Sequence, residues 1–255
     1  KLFFPENIKK SKPFVLITLT NDGYLDLTRN LLISMKQLGI DHLLKIYCIG
    51  EESYNYFNKY YPNNTIVQIN TDNNYLKSWV EYKSIQNSDI EGKRKWSDIT
   101  SYKIYAINNE LKIGNDVIFT DGDITFEKNP IPYLFDNIND CDLFIQNDNQ
   151  DHASRKFCTG FFLMKSNPIT IEITNFNNIQ KNLKDFINDQ NYLRKFEDKL
   201  NVKYLPLSLF PNGKYWRDNF NGLDPYIIHF NYDVALGKIK RMRSFNKWHI
   251  PVMLF

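Results

Sequence analysis

Cysteine is scarce in this chain. Only Cys48, Cys141 and Cys158 among its 255 residues carry thiols, and their spacing fits neither a disulfide framework nor a metal-ligand pattern. They read as buried thiols in a reducing compartment. No apolar run approaches the ~18 residues a membrane-spanning helix needs, and the first residues lack the apolar core of a secretory signal. A strong excess of one charge is also missing. With 32 Lys and Arg against 29 Asp and Glu, the net charge of +3 is too small and too evenly spread for a nucleic-acid partner. The one basic run, Lys238-Ile239-Lys240-Arg241-Met242-Arg243, is on the scale of a phosphate. No linker divides the chain, and its asparagine-rich stretches interrupt apolar segments without becoming repeats, which reads as coding bias. In so asparagine-rich a chain, the sequon Asn63-Asn64-Thr65 is a chance match. These absences predict a soluble domain with no membrane span, cytoplasmic in preference to lumenal. The lumenal alternative applies if an anchor has been trimmed ahead of Lys1.

What is present fills a core. A hydrophobic share of 42%, with 15% aromatic residues, suits one compact α/β unit over residues 1–255. Phe14–Thr20 is a β-rich run that stops at Asn21-Asp22-Gly23, and Tyr24–Leu38 then carries apolar residues at helical spacing. Lys45–Gly50 and Thr65–Ile69 read as further strands, with a helix over Glu51–Tyr60 between them. That β-α-β-α-β order predicts a parallel, nucleotide-binding type of sheet. Ser97–Leu111 reads as the helix that feeds the next strand. Beyond it the pattern loosens: Asp142–Ile145, Gly160–Met164 and Tyr226–Phe230 read as strands that introduce antiparallel pairing, and Phe176–Leu200 as one helix.

The stretch with most chemistry is Val117-Ile118-Phe119-Thr120-Asp121-Gly122-Asp123. An apolar run ending in two carboxylates reads as a buried strand whose C-terminal end opens into a cleft, where open α/β sheets bind ligands. Side chains two apart on extended backbone point the same way, so Asp121 and Asp123 can offer hard oxygens to one cation. His229, at the end of another apolar run, adds an imidazole, with Asn231 behind it. Gly237-Lys238 offers flexible backbone and a cation for phosphate oxygens, and Lys103 sits on the helix before the Asp121 strand. Asp189-Gln190 pairs a carboxylate with an amide, a combination suited to sugar hydroxyls. Phe210–Trp216 is a turn flanked by aromatics, which serve either as core or as a stacking platform.

Taken in order, these segments resemble the nucleotide-diphospho-sugar transferase family of GT-A fold glycosyltransferases. The matching residues are Leu19–Tyr24 with Asn30 and Ser34, Lys103, Asp121-Gly122-Asp123 with Asn129-Pro130, and Thr159–Phe162. They continue through Asp189-Gln190, Phe210–Gly213, His229–Tyr232, Gly237–Ile239 and Trp248. Gly122 stands where relatives often carry a larger apolar residue, and Gln146–Asn149 matches the acceptor-side pattern only loosely.

The resemblance implies a central mixed, mostly parallel sheet flanked by helices. It divides the chain into a nucleotide-sugar-binding half over about 1–123 and an acceptor-side half over about 124–255. It implies transfer of a sugar, with retention, from a nucleoside-diphosphate sugar to a hydroxyl on a glycan or glycoprotein. Asp121, Asp123 and His229 would hold Mn²⁺ or Mg²⁺, a fitting ligand set for either ion. Thr18, Thr20 and Asn21 would contact the nucleoside, Lys103 the donor sugar or phosphate, and Gly237-Lys238 the leaving diphosphate. Asp189 and Gln190 would face the reacting sugar, with Asp189 the first nucleophile to test.

Two rivals remain at this point. Asp121–Thr125 after an apolar strand also fits the nucleophile motif of a haloacid-dehalogenase-like phosphatase, which needs a later acidic pair at another strand's end. Asn139–Asp142 precedes its apolar run instead of following one. A non-catalytic sugar-nucleotide-binding protein is the other rival.

Overall fold

The computed structural model describes residues 12–71, 76–77, 90–151, 154–182, 188–234 and 236–251. Its first half alternates β1 (Phe14–Asn21), α1 (Leu25–Gln37), β2 (Leu44–Ile49), α2 (Glu51–Tyr60), β3 (Ile66–Ile69), α3 (Ile90–Lys112) and β4 (Asp116–Thr120). Then come β5 (Ile124–Phe126), α4 (Ile131–Asn137), β6 (Leu143–Asn147), β7 (Phe157–Met164), α5 (Pro168–Ile173), α6 (Phe176–Asn182) and α7 (Asp189–Arg194). The last elements are β8 (Val202–Tyr204), α8 (Gly213–Asn219), β9 (Ile227–His229) and α9 (Leu236–Ser244).

Seven strands form the main sheet in the order β3-β2-β1-β4-β7-β6-β8. The pairs among β1, β2, β3 and β4 are parallel, β7 runs antiparallel to both β4 and β6, and β6 pairs parallel with β8. The sheet is therefore mixed and mostly parallel.

Every residue of β4 and β7 is buried, because side chains alternate between two covered faces. Val117 and Phe119 join the cluster containing Ile104, Ile107 and Leu111 of α3, while Ile118 joins Leu31, Leu32 and Met35 of α1. Truncating a side chain as enclosed as Phe119 typically costs about 3–5 kcal/mol.

A second, two-stranded sheet pairs β5 antiparallel with β9, setting Ile124 opposite His229. Helix α1 fastens it, the Phe126 N–H donating to Ser34 Oγ at 3.0 Å, and also holds the segment after α9, where Asn30 Nδ2 donates to the Lys247 carbonyl at 2.9 Å.

Several asparagines do structural work that the coding-bias reading misses. Asn167, Asn188 and Asn212 cap the N-termini of α5, α7 and α8, their side chains accepting otherwise unpaired backbone N–H groups. Asn188 also explains the main departure from the expected elements. Phe176–Leu200 is not one helix but α6, then α7 restarted by the Asn188 cap, then a 3-10 turn at Glu197–Lys199; residues 183–187 of that span lie outside the described residues. No described helix is long and apolar enough to cross a membrane.

Candidate active site

The cleft opens where the C-terminal ends of β1 and β4 meet the small sheet, and its cavity is about 580 Å³. Asp121 still belongs to the large sheet, its N–H donating to the Gly160 carbonyl of β7 at 2.7 Å. Asp123 belongs to the small one, its carbonyl accepting the Phe230 N–H at 3.0 Å. The Asp-x-Asp stretch is thus the link between two sheets. Gly122, between them, has no room for a side chain: an added Cβ would lie 2.8 Å from Thr28 Oγ1. That hydroxyl is itself fixed, donating to Thr20 Oγ1 at 2.9 Å.

Each carboxylate gives one oxygen to a buried lysine and turns the other toward His229. Lys103 Nζ meets Asp121 Oδ1 and Asp189 Oδ2, each at 2.9 Å, and donates to the Thr159 carbonyl at 3.2 Å. Lys238 Nζ donates to Asp123 Oδ2 at 2.7 Å. The remaining oxygens, Asp121 Oδ2 and Asp123 Oδ1, stand 3.9 and 3.3 Å from His229 Nε2.

These surroundings set the charges. Burial works against the Lys103 ammonium, but Asp121 and Asp189 outweigh it and raise its pKa. Burial raises Asp121, against the pull of Lys103. Burial also opposes ionisation of Asp123, yet Lys238 and His229 hold its carboxyl well below the usual carboxylate range. For His229 burial lowers the pKa, but Asp123 outweighs it and pushes the value up to about 10.

The donor set fits a divalent cation. Asp121, Asp123 and His229 each offer a ligand atom, all within 4.8 Å of one another. Two carboxylates and one imidazole suit Mn²⁺ or Mg²⁺ better than a soft thiolate-seeking ion.

The other expected residues fall as follows. Thr20, Asn21, Lys103, Asp189, Gln190 and Lys238 line the cleft. Asn21 spends its amide locally, donating from Nδ2 to the Leu76 carbonyl and accepting the Tyr24 N–H at Oδ1, both at 3.0 Å. Two expected contacts are not on the wall. Thr18 is fully buried inside the fold, one pleat too deep in β1. Gly237 is taken up in the first turn of α9, its N–H donating to the Val234 carbonyl at 2.8 Å.

The Phe210–Trp216 turn is not a stacking platform either. Phe210 is buried against Phe161 and Tyr226, and Trp216 packs on Phe245. Asp142, required by the phosphatase alternative, is tied to Asn167 and Asn201 and does not line the cleft.

Residues to which the sequence reading gave no role of their own complete the site. Asp148 accepts from Asn231 Nδ2 at 3.2 Å and Gln190 Nε2 at 3.4 Å, and pairs with Lys156 at 3.0 Å. Gln146 contacts His229, and Gly160 leaves the space that the His229 ring fills. Gly160 fell within the Thr159–Phe162 match, and Gln146 and Asp148 within the loosely matching Gln146–Asn149 stretch, neither of which gave them a role.

The sheet order and the linking Asp-x-Asp define a GT-A fold. The same architecture occurs in the crystal structure of galactosyltransferase LgtC in complex with donor and acceptor sugar analogues. That likeness has a TM-score of 0.55 and 12% identity over 94% of this chain and 98% of that one. Mouse xyloside xylosyltransferase 1 aligns with a TM-score of 0.52 and 14% identity over 86% and 98% of the two chains.

The chain belongs to the nucleotide-diphospho-sugar transferase family, whose sequence profile matches residues 62–242. It is 27% identical to the UDP-galactose:fucoside alpha-3-galactosyltransferase of Dictyostelium discoideum, over 96% of this chain but 44% of that protein. The chain therefore spans less than half the length of that relative.

Proposed function

We propose that this chain is a metal-dependent glycosyltransferase. It moves a sugar from a nucleoside-diphosphate sugar to an acceptor hydroxyl on a glycan or protein, with retention at the anomeric carbon. The observation that carries this reading is the convergence of Asp121, Asp123 and His229 within 4.8 Å on one wall of the cleft, beside two buried lysines. Those three residues would hold a divalent cation, which would supply Lewis-acid stabilisation of the charge developing on the departing diphosphate.

The chain's own residues do the rest. Residues up to about 123 recognise the nucleoside, with Thr20 and Asn21 at the end of β1. His229 and Lys238 return from the second half to the phosphate side. Lys238 lies beside Asp123, where its ammonium can follow the negative charge onto the leaving oxygen. Lys103 lies 2.9 Å from an oxygen of both Asp121 and Asp189 and so fixes the two carboxyl groups side by side in the cleft. Asp189, joined to Asp121 through Lys103, faces the sugar together with Gln190. Asp148 aligns Gln190 and Asn231 from behind on the acceptor side.

The name of the Dictyostelium relative makes UDP-galactose and a fucoside the first donor and acceptor to try. Nucleoside-diphosphate release should require Mn²⁺ or Mg²⁺ and should disappear in Asp123→Ala. Turnover that is equally fast in Asp123→Ala and without added metal would overturn the proposal.

A further inference from the structure

We infer that Gln146 is a positioning residue that decides which ring nitrogen of His229 faces the two carboxylates. The inference rests on the cation-binding reading above and assigns a role to a residue outside the ligand set. Gln146 is the penultimate residue of the buried strand β6, is fully enclosed, and places Oε1 2.8 Å from His229 Nδ1.

The orientation of its amide is forced. Nε2 donates to two carbonyls, those of Phe210 at 3.1 Å and Pro211 at 3.0 Å. Only an NH₂ group can face two carbonyl oxygens, so the oxygen of Gln146 must face the ring. An oxygen there accepts a proton from Nδ1. Once a cation replaces the proton on Nε2, the ring keeps its remaining proton on Nδ1 and turns the Nε2 lone pair toward the side of Asp121 and Asp123. The Cys158 sulfur, 3.5 Å from Nδ1, is a weaker neighbour of the same nitrogen.

Two further features aim the pair. The β6–β7 register breaks between Ile145 and Gln146: Ile145 pairs with Phe162 but Gln146 with Cys158. Irregularities of this kind re-aim side chains beside functional sites, and this one frees Gly160 to face the His229 ring. The Pro211 carbonyl accepts both the Gln146 amide and the His229 backbone N–H, the latter at 3.2 Å. One turn thus holds both partners. A hydrogen bond to the distal nitrogen of a metal-binding histidine typically governs affinity by 10–100-fold.

Two measurements on the full chain test this. Mn²⁺ titration followed by electron paramagnetic resonance should show binding weakened about tenfold or more in a folded Gln146→Leu variant; a smaller loss overturns the inference. Nitrogen-15 NMR of the histidine rings in the parent, loaded with diamagnetic Cd²⁺, should place a slowly exchanging proton on His229 Nδ1 and the metal-induced shift on Nε2. A proton on Nε2 overturns the inference even if the leucine variant fails to fold. A parent that binds neither ion overturns the cation-binding reading itself, and the inference with it. A parent that binds normally beside an unaffected variant removes only the role of Gln146.

Discussion

Replacing Gly160 with alanine should drive His229 away from the carboxylates. The new Cβ would stand 2.1 Å from His229 Cε1 and 2.8 Å from both ring nitrogens. Ordinary carbon contacts begin at roughly 3.5 Å, so the ring must retreat by about 1.4 Å or the strand must bend. Neither is free. Nδ1 is tied to Gln146 at 2.8 Å, and β7 is held at this point because the Gly160 carbonyl accepts the Asp121 N–H at 2.7 Å. Overpacking of this kind costs roughly 1–3 kcal/mol of stability. Functional groups tolerate misplacement by only about 0.5 Å, so Mn²⁺ affinity should fall by about 10–100-fold. Thermal denaturation of the metal-free protein reads the first effect, and Mn²⁺ titration reads the second. An alanine variant with the parent's midpoint and Mn²⁺ affinity would refute the reasoning, because the space beside His229 would then not be full.

Asp123→Ala removes the carboxylate 2.7 Å from the buried Lys238 Nζ and should cost about 3–5 kcal/mol; adding Lys238→Met should recover most of the melting temperature while turnover stays lost. Gly122→Ala should destabilise by roughly 1–3 kcal/mol through its 2.8 Å clash with Thr28 Oγ1, and Thr28→Ala should relieve it, an additive loss counting against the clash. Glu110 is buried beside Lys45, Tyr47 and Asn115; burial raises its pKa, but hydrogen bonds from those three residues bring it below the usual carboxylate range. Its stabilisation is therefore complete above the unfolded pKa and lost as pH falls through the folded one, so Glu110→Gln should flatten the acid limb of a melting-temperature profile. An unchanged acid limb would sink that assignment.

The strands and two of the three clustered site residues, Asp121 and His229, were legible because both depend on local pattern. The apolar runs of β1, β2 and β4 bury both faces, and Asp121 and His229 stand at or just past strand ends, where periodicity alone puts them near a cleft. Glu51–Tyr60 reads directly as the helix it forms. What was not legible depends on partners distant in sequence. Lys238 meets Asp123 across 115 positions and Gln146 meets His229 across 83, and no spacing rule connects them. Thr18 looked like a neighbour of Thr20 in function because strand periodicity gives the face of a residue, not its depth along the strand. Asparagine was opaque for another reason: the same side chain caps helices at Asn167, Asn188 and Asn212 and fastens the end of the chain at Asn30. Only tertiary context separates those roles from compositional bias.

The division of Asp121 and Asp123 between two sheets has a mechanical consequence. Their spacing measures how the small sheet sits on the large one, so any ligand that grips both carboxylates works as a bolt through the joint. Tightening it should slow amide hydrogen exchange in β5 (Ile124–Phe126) and β9 (Ile227–His229), far apart in sequence, while leaving β2 and β3 on the far side of the large sheet untouched. Loosening it by strain in either sheet should weaken the grip before any ligand atom is altered. The cleft then reports on the seating of the fold as much as on its own side chains.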